Sequence, residues 1–393
     1  MIDLYKIRIF STLMVGLVTS LTSRAHHGFG TFAMNEDIQL SGVVTSLDFV
    51  NPHSWLNFET IQEDGSLVEY SCEMRSAMTL RRSGWTPEMF PPGTRISIEG
   101  SPDRIDSRAC YVSTITIDDA MSLDRYSQLI GAEVDIERAG RLDNGKPNLA
   151  GDWAAEQRVM TDPRGRDGAL VPLSQANDYG IGGVPEGGMA IPGGRGTLQA
   201  EIFGDPNGPR SQDLLSPVDL TVAGEAAFQR LREIPTLERS CDPGSIVSDW
   251  DIVGTDPVNR ITQNDDLVTI AYGVHGRVRT VDMRRTAHPI DIEPSWTGHS
   301  IGWWEDDVLV VDTIGFEPGV LVRPRPRAAA VPHSDQLHVV ERFSIDEGTF
   351  TLKREFVADD PAFLSEIYTG STEMMVSNVP YASESCEDFT PRL

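Results

Sequence analysis

The side chains most suited to acid–base chemistry lie in the last third of the chain: His299, Asp312, His333 and Glu341. Imidazole and carboxylate groups are the usual general acids and bases of enzymes, because their surroundings can bring their pKa values close to neutral. His299 and His333 lie on predicted turns with Gly or Pro neighbours, where site residues are often found. Together the four residues predict catalysis without a cofactor. Hydrogen bonding to loop carbonyls is the alternative role of both histidines.

The two carboxylates are expected to point into the protein. Alternate residues of a strand face opposite sides, and in the strand-like run 337–343 Glu341 shares its face with three apolar residues. Asp312 likewise shares a face with Val308 and Val310. Burial of a carboxylate among apolar side chains raises its pKa, which suits a general acid or base. Alternatively, arginines neutralise both carboxylates in structural ion pairs. The candidate arginines are Arg279, Arg342 and Arg354.

Three tryptophans occur close to these residues. Trp296, Trp303 and Trp304 are predicted to line an apolar ligand site or to fill the end of a barrel.

Residues 298–302 read Gly-His-Ser-Ile-Gly and match the Gly-x-Ser-x-Gly pattern of a nucleophile elbow. That elbow requires a helix directly after the serine, whereas residues 303–313 predict a hairpin and a strand. We therefore interpret the pattern as a turn rather than as the nucleophile of a serine hydrolase.

The N-terminus raises a separate metal-site hypothesis. A basic start, an apolar stretch and the small-x-small motif at 23–25 predict that residues 1–25 are a signal peptide. Cleavage would leave His26 as the first residue, and its amine and imidazole could chelate Cu(II) with His27 or His53 as a further ligand. The alternative is a frayed polar terminus.

Export also determines the state expected of the four cysteines. Disulfides persist in oxidising compartments, so two are predicted, with free thiols as the alternative. Pairing within each half of the chain is the simplest of the possible connectivities: Cys72 with Cys110, and Cys241 with Cys386. A zinc site is not expected, since no two cysteines are close in sequence.

The composition restricts the partners. The chain has 59 acidic and 33 basic residues and a formal net charge of −26, which would repel nucleic acids and anionic lipid surfaces. After the signal peptide, no apolar stretch approaches the ~20 residues of a membrane-spanning helix. The 35 glycines and 25 prolines indicate many turns and a β-rich fold.

The elements that must position these residues are predicted to form two β domains. Residues 36–118 contain five strand-like runs with a short helix between the third and the fourth, the order of a small five-stranded OB-like barrel. We place this domain at 26–122 and a charged linker at 123–147.

Residues 148–393 predict the second domain. The Gly-x-Trp at 151–153 is the signature that opens lipocalin-like barrels, and roughly six to eight strand-like runs follow residue 246. The predicted fold is therefore mainly β, with a larger antiparallel lipocalin- or calycin-like barrel after the OB-like one. A Gly/Pro-rich loop at 163–213 and a helix ending near Ile234 precede the strands.

Several motifs carry a family resemblance. In the first third they are His-His-Gly-Phe at 26–29, Asn-Pro-His-Ser-Trp at 51–55 and Leu-Arg-Arg-Ser-Gly-Trp at 80–85. They resemble a family of small exported bacterial proteins of unknown function that begins with a His-His-Ser-Phe-like run; Gly28 replaces the serine here. The motifs at 298–302 and 304–307 resemble an uncharacterised C-terminal region that often accompanies this family. The resemblance implies an organisation and no activity.

These observations predict a periplasmic or secreted protein that binds or converts a small apolar molecule inside the second barrel. Isomerisation, cyclisation, hydration or hydrolysis by acid–base chemistry would require no cofactor. One alternative is a periplasmic protein that binds copper or another transition metal through His26. Another is a non-catalytic envelope scaffold that binds a protein partner. Nucleic acid and a membrane span after signal cleavage are not expected.

Overall fold

The computed structural model describes residues 32–51, 53–129, 138–162, 170–175, 218–233, 244–252, 256–322 and 330–383. The predicted signal peptide, His26, His27, Cys241 and Cys386 lie outside these ranges. The described residues form a mainly β protein with two closed barrels, as the sequence predicts.

The first barrel is built from residues 38–117. Its elements are β1 (Ile38–Asp48), β2 (Trp55–Ile61), β3 (Leu67–Glu73), α1 (Ala77–Arg82), β4 (Arg95–Pro102) and β5 (Ala109–Ile117), and β6 (Met121–Asp124) extends the sheet beyond β5. The strand order is β3-β2-β1-β4-β5, and parallel pairing of β3 with β5 closes it into an OB-like barrel. The predicted disulfide between Cys72 and Cys110 is present and joins the closing strands. Ser76 caps α1 by accepting a hydrogen bond from the Thr79 amide.

The second half contains thirteen strands and one helix in the described residues. They are β7 (Gly151–Ala154), β8 (Arg158–Met160), β9 (Leu170–Pro172), α2 (Val222–Arg232), β10 (Val258–Gln263), β11 (Leu267–Ala271), β12 (Val278–Asp282), β13 (His299–Glu305), β14 (Val308–Ile314), β15 (Gly319–Val322), β16 (Val331–His333), β17 (His338–Asp346), β18 (Thr351–Asp359) and β19 (Tyr368–Val376). Nine strands close the barrel in the order β7-β10-β11-β12-β13-β14-β17-β18-β19.

One pairing in this barrel departs from the antiparallel pattern. β12 and β13 are parallel, with Val281 opposite Ser300. Parallel neighbours need a connection that returns to the starting end of the sheet, and residues 283–298 provide it. Gly298 ends this crossover with φ +65°, and a Cβ there would lie 2.7 Å from the Ile314 carbonyl oxygen. Glycine is therefore required where the chain enters β13.

Five short strands were not expected. β6 spans the predicted start of the linker, β8 precedes the region predicted as a Gly/Pro-rich loop, and β9 lies in that region. The hairpin of β15 and β16 follows β14 without a preceding sequence signal. Strands of three or four residues show too few alternations for the period of two to be recognised.

The centre of the second barrel is filled by the chain itself. Residues 244–250 are buried, and Ile246, Val247 and Trp250 belong to the same apolar core as the inward side chains of the strands. The Trp250 ring packs edge-on against Tyr272 and Phe343, at centroid distances of 6.1 and 5.7 Å. Around residues 244–250, packed side chains therefore fill the interior of the barrel, where the sequence predicts a ligand.

The two barrels are in contact through α1. Gln157 donates a hydrogen bond to the Thr79 carbonyl at 3.2 Å, and Asn378 donates one to the Arg82 carbonyl at 2.7 Å. Met78 packs against Ala154 at the same junction. In the described part of the chain, no helix has the length and hydropathy that a membrane crossing requires.

Candidate acid–base site

Glu341 points into the second barrel, as the alternation along β17 predicts, and is 0 % exposed. Its Oε1 lies 2.6 Å from Arg354 Nε and its Oε2 lies 2.5 Å from Arg279 Nη2. Burial alone would raise the pKa of Glu341, but the charges and hydrogen bonds of the two arginines outweigh it and hold that pKa below its usual range. The carboxylate therefore stays ionised at neutral pH, contrary to the raised pKa expected of an unpaired group.

This buried ion-pair network also holds residues 244–252, which we call the inner segment, in place inside the barrel. Arg354 donates to the carbonyl oxygens of Val247 and Ile246, at 3.3 and 3.0 Å. The third candidate partner, Arg342, faces the outside and pairs with Glu305 at 2.7 Å. The contacts of Glu341 are those of the structural ion pair that the sequence left open as an alternative.

Asp312 lies on the opposite side of the barrel wall from Glu341. On β14, Leu309, Val311 and Thr313 point inward and are fully buried. Asp312 alternates with them, so it shares the outer face with Val308 and Val310, and its side chain is 25 % exposed. The expectation that this carboxylate points inward is wrong. Its neighbours on that face, Val308 and Val310, are apolar, which is typical of a core face, but here they lie on the outer face, where Val310 is nevertheless buried.

Two histidines lie beside Asp312, and a third contacts one of them. His338 Nε2 lies 2.6 Å from Asp312 Oδ1, and His288 Nε2 lies 3.8 Å from the same oxygen. On the other side of its ring, His288 Nδ1 lies 2.8 Å from His299 Nδ1. We call these four residues the histidine–aspartate chain. Two of its members, Asp312 and His299, were candidates from the sequence, whereas His288 and His338 were not.

Strand register explains why these residues meet. β13, β14 and β17 are adjacent in the barrel, with His299 opposite Ile314 and Thr313 opposite Val339. His299 and His338 are thus diagonal neighbours of Asp312 on the outer face, within reach of long side chains. The crossover 283–298 brings the fourth member, His288, over the same face.

The pKa values of the two histidines beside Asp312 are shifted in opposite directions. The hydrogen bond to Asp312 raises the pKa of His338, whose side chain is 44 % exposed. Burial lowers the pKa of His288, an effect that the Asp312 charge opposes and the nearby His299 reinforces. Asp312 itself has a lowered pKa, chiefly because it accepts the His338 hydrogen bond. Opposite shifts of this kind are typical of acid–base pairs.

One set of tautomers suits the two short contacts of the chain. The 3.8 Å between His288 Nε2 and Asp312 Oδ1 is too long for a hydrogen bond, and this nitrogen has no hydrogen-bond partner among the described residues. With the His288 proton on Nε2, facing the ionised carboxylate, His288 Nδ1 accepts a hydrogen bond from His299 Nδ1. His299 Nε2 then keeps a free lone pair, and it has no hydrogen-bond partner among the described residues. His338 Nδ1 points away from Asp312 at the other end of the chain.

The remaining histidine candidates are elsewhere. His333 is buried on β16, with Nδ1 2.9 Å from the Ser334 carbonyl oxygen, the contact that the sequence left open as its alternative role. His53 lies on the first barrel, where its Nδ1 is 2.8 Å from Glu73 Oε1. No described contact joins either histidine to the histidine–aspartate chain.

The tryptophans do not share one site. Trp303 is on the outer face and its Nε1 donates to Glu305 at 3.1 Å, whereas Trp304, its neighbour in sequence, packs against the core. Trp296 packs edge-on against Tyr272 at a centroid distance of 6.4 Å. These contacts agree with a packing role.

Residues 299–305 form a strand and not the elbow of a hydrolase. Ser300 points inward, is buried, and lies 2.8 Å from the Thr313 hydroxyl. It is thus on the opposite side of β13 from His299. The pattern is not a nucleophile elbow, but its interpretation as a turn is wrong for residues 299–302, which begin the strand.

The histidine–aspartate chain is not arranged as a metal site. Within the described ranges, no three His, Cys, Asp or Glu residues are grouped so that they could hold a metal ion. Along the chain, His288 uses opposite nitrogens for its two neighbours, so the donor atoms follow one another and do not converge on a point. The four side chains therefore form a row and do not enclose an ion.

Comparisons with known proteins cover the first barrel alone. Residues 15–111 match a family of unknown function (DUF6152), in agreement with the resemblance of the N-terminal motifs to an uncharacterised family. The matched region ends before the histidine–aspartate chain begins. No curated protein and no solved structure matches the chain.

Proposed function

We propose that the protein is an enzyme that converts a small, largely apolar molecule by acid–base chemistry at the histidine–aspartate chain. The observation that carries this proposal is the geometry of the chain, in which the Asp312 carboxylate holds His338 on one side and lies beside His288, the neighbour of His299, on the other. One end of the chain presents an imidazole whose protonated form Asp312 favours, and the other end presents an imidazole with a free nitrogen, which are the two groups that general acid–base catalysis requires. The site lies on the outer face of the second barrel and not in its interior.

His299 is the base in this mechanism. Its Nε2 takes a proton from the substrate, and the resulting positive charge is stabilised through His288 by the Asp312 carboxylate. This is the orienting and charge-stabilising role that a carboxylate has behind a catalytic histidine. His288 and Asp312 are therefore positioning residues that act through His299.

His338 is the acid. Asp312 holds it through Nε2 at 2.6 Å and favours its protonated form. Its Nδ1–H is then available to donate a proton to the substrate on the side away from the carboxylate. Because β14 lies between the strands of His299 and His338, the backbones that carry base and acid are ~10 Å apart. That spacing accommodates a small molecule lying across β14.

An apolar surface adjoins the acid. On the outer face, Val340 lies opposite Asp312 and Val357 lies opposite Val340. The Val357 side chain is 40 % exposed. An apolar substrate body can pack on these valines while its reacting atoms lie between the histidines. Proton transfer between two positions, addition or loss of water, and ring closure are reactions of this type. The predicted signal peptide would place this activity in the periplasm or outside the cell.

The test is incorporation of solvent atoms into small molecules. The full-length protein is incubated with a bacterial small-molecule extract in water enriched in D2O and H218O, and untargeted mass spectrometry follows the label. We expect the wild type to label at least one compound. His299→Gln and His338→Gln should lower that rate by ~100-fold or more, the usual contribution of a general acid or base.

His53→Gln is the matched control, since this histidine pairs with Glu73 on the first barrel. It should label at the wild-type rate. Two results would overturn the proposal: no compound labelled by the wild type, or equal rates for the wild type and both site variants when circular dichroism shows that all are folded.

A further inference from the structure

A second site lies in the same barrel, at a cleft of about 270 Å³ beside the inner segment 244–252. The inner segment forms one wall, and inward residues of β18 and β19 form the other. The cleft shares no lining residue with the histidine–aspartate chain. What binds here is therefore independent of the acid–base chemistry proposed above.

Two hydroxyl groups at this cleft have no partner. Ser248 is 7 % exposed, and neither its Oγ nor the Oγ1 of Thr372 has a hydrogen-bond partner among the described residues. Both residues line the cleft. Buried polar atoms are nearly always hydrogen-bonded in folded proteins, because an unmade bond costs free energy. The unmet hydroxyls of the two walls are groups with which a polar substituent of a bound molecule can form hydrogen bonds.

The rest of the lining is mixed. It includes the rings of Phe356 and Tyr368, which are tilted against each other with centroids 5.5 Å apart, and the apolar side chains of Val247 and Val322. Asp251 and Ser371 complete it. Gly370 makes room on β19, since a Cβ there would lie 2.6 Å from the Phe356 ring. Aromatic and branched side chains of this kind favour a flat apolar ring.

Size and charge narrow the ligand further. Ligand sites for drug-sized molecules begin at ~300 Å³, whereas an apolar cavity of ~150 Å³ accepts benzene. A cleft of about 270 Å³ therefore suits one substituted ring. Asp251 also borders the cleft, and the chain has a net charge of −26, so an anion is disfavoured. We propose that the cleft binds an uncharged monocyclic molecule with a hydrogen-bonding substituent, of the phenol class.

The test is a titration of the full-length protein with p-cresol, toluene and benzoate, followed by isothermal calorimetry and by NMR. We expect saturable binding of p-cresol at the cleft, weaker binding of toluene and none of benzoate. Ser248→Ala or Thr372→Val should weaken p-cresol about five- to tenfold, the value of one hydrogen bond. Neither should change the binding of toluene, which uses the apolar lining alone.

Thr369→Val is the matched control. Thr369 is exposed on β19 and faces away from the cleft, so p-cresol should bind this variant as it binds the wild type. Because Ser248 Oγ has no partner to lose, Ser248→Ala should keep the wild-type melting temperature. The proposal is overturned by p-cresol affinity that is unchanged in both cleft variants, by no saturable binding up to ~10 mM, or by a crystal soak that shows ordered water alone between the two hydroxyls.

Discussion

The two sides of β17 carry the same kind of cluster in two environments. On the inner side, Glu341 lies between two arginines and is 0 % exposed. On the outer side, Asp312 of the neighbouring strand lies between His338 and His288, at 2.6 and 3.8 Å. Each cluster is one carboxylate with two basic partners. Arginine stays charged at all accessible pH values, whereas imidazole gains and loses a proton near neutrality. The inner cluster can therefore only hold structure, and the outer one can transfer protons.

The largest effect should come from the inner cluster. Glu341→Gln leaves Arg279 and Arg354 buried without their counter-charge, and we expect a loss of ~3–5 kcal/mol in the free energy of unfolding. Urea denaturation at pH 7 measures it. Because the pKa of Glu341 is lowered in the folded state, its contribution should be complete above the unfolded carboxyl pKa of ~4.3 and be lost as the pH falls through the lower folded value.

Asp312→Asn is the matched control, since it makes the same carboxylate-to-amide change in the outer cluster. A loss in Glu341→Gln no larger than in Asp312→Asn would show that the inner ion pairs do not hold the barrel. A triple variant with apolar residues of similar size at 279, 341 and 354 should lose less stability than Glu341→Gln, because no buried charge remains unpaired. What it still loses is the pair of hydrogen bonds from Arg354 to the Ile246 and Val247 carbonyls.

The second effect concerns protonation. In Asp312→Asn the pKa of His338 should fall, because the hydrogen bond and charge that raise it are lost. Histidine side-chain NMR titration measures this shift. The cost in stability should be at most ~1 kcal/mol, as for other half-exposed pairs. Since Asp312 has a lowered pKa and His338 a raised one, that cost should be greatest between about pH 4 and 6.5 and smaller on either side.

His53 supplies an internal reference for that titration, because it lies on the other barrel beside Glu73. The chemical shifts of its ring should be the same in Asp312→Asn as in the wild type. An unchanged pKa of His338 in this variant would contradict the assignment of His338 as the acid. The two sides of β17 would then not differ in their proton chemistry.

The sequence predicted those features that regular alternation determines. The two barrels, the inward position of Glu341 and the Cys72–Cys110 pair are all present. The period of two along β17 also put His338 on the face opposite Glu341. What alternation cannot decide is which face of a strand is the inner one when both carry buried apolar residues. For that reason the sequence predicts an inward Asp312, whereas the residue lies on the outer face.

The missing members of the site depend on long-range structure. His288 precedes Pro289 in an irregular segment. It reaches Asp312 because β12 and β13 are parallel, so that residues 283–298 return along the outer face of the barrel. A parallel pairing leaves no local signal in such short strands. The inner segment 244–252 was missed for a related reason, since its burial follows from the closed barrel around it and not from its own period.

The smallest effect should come from an ion pair on the outer side of β17. Arg342 Nη2 lies 2.7 Å from Glu305 Oε2, and the two side chains are 42 % and 48 % exposed. Water and salt screen such a pair, so Arg342→Ala should leave the urea midpoint within the error of the measurement, at both low salt and 1 M NaCl. A salt-dependent loss of unfolding free energy as large as that of Glu341→Gln would mean that the geometry of an ion pair, and not its burial, determines its contribution to stability. The distinction between a structural inner face and a chemical outer face would then have no energetic basis.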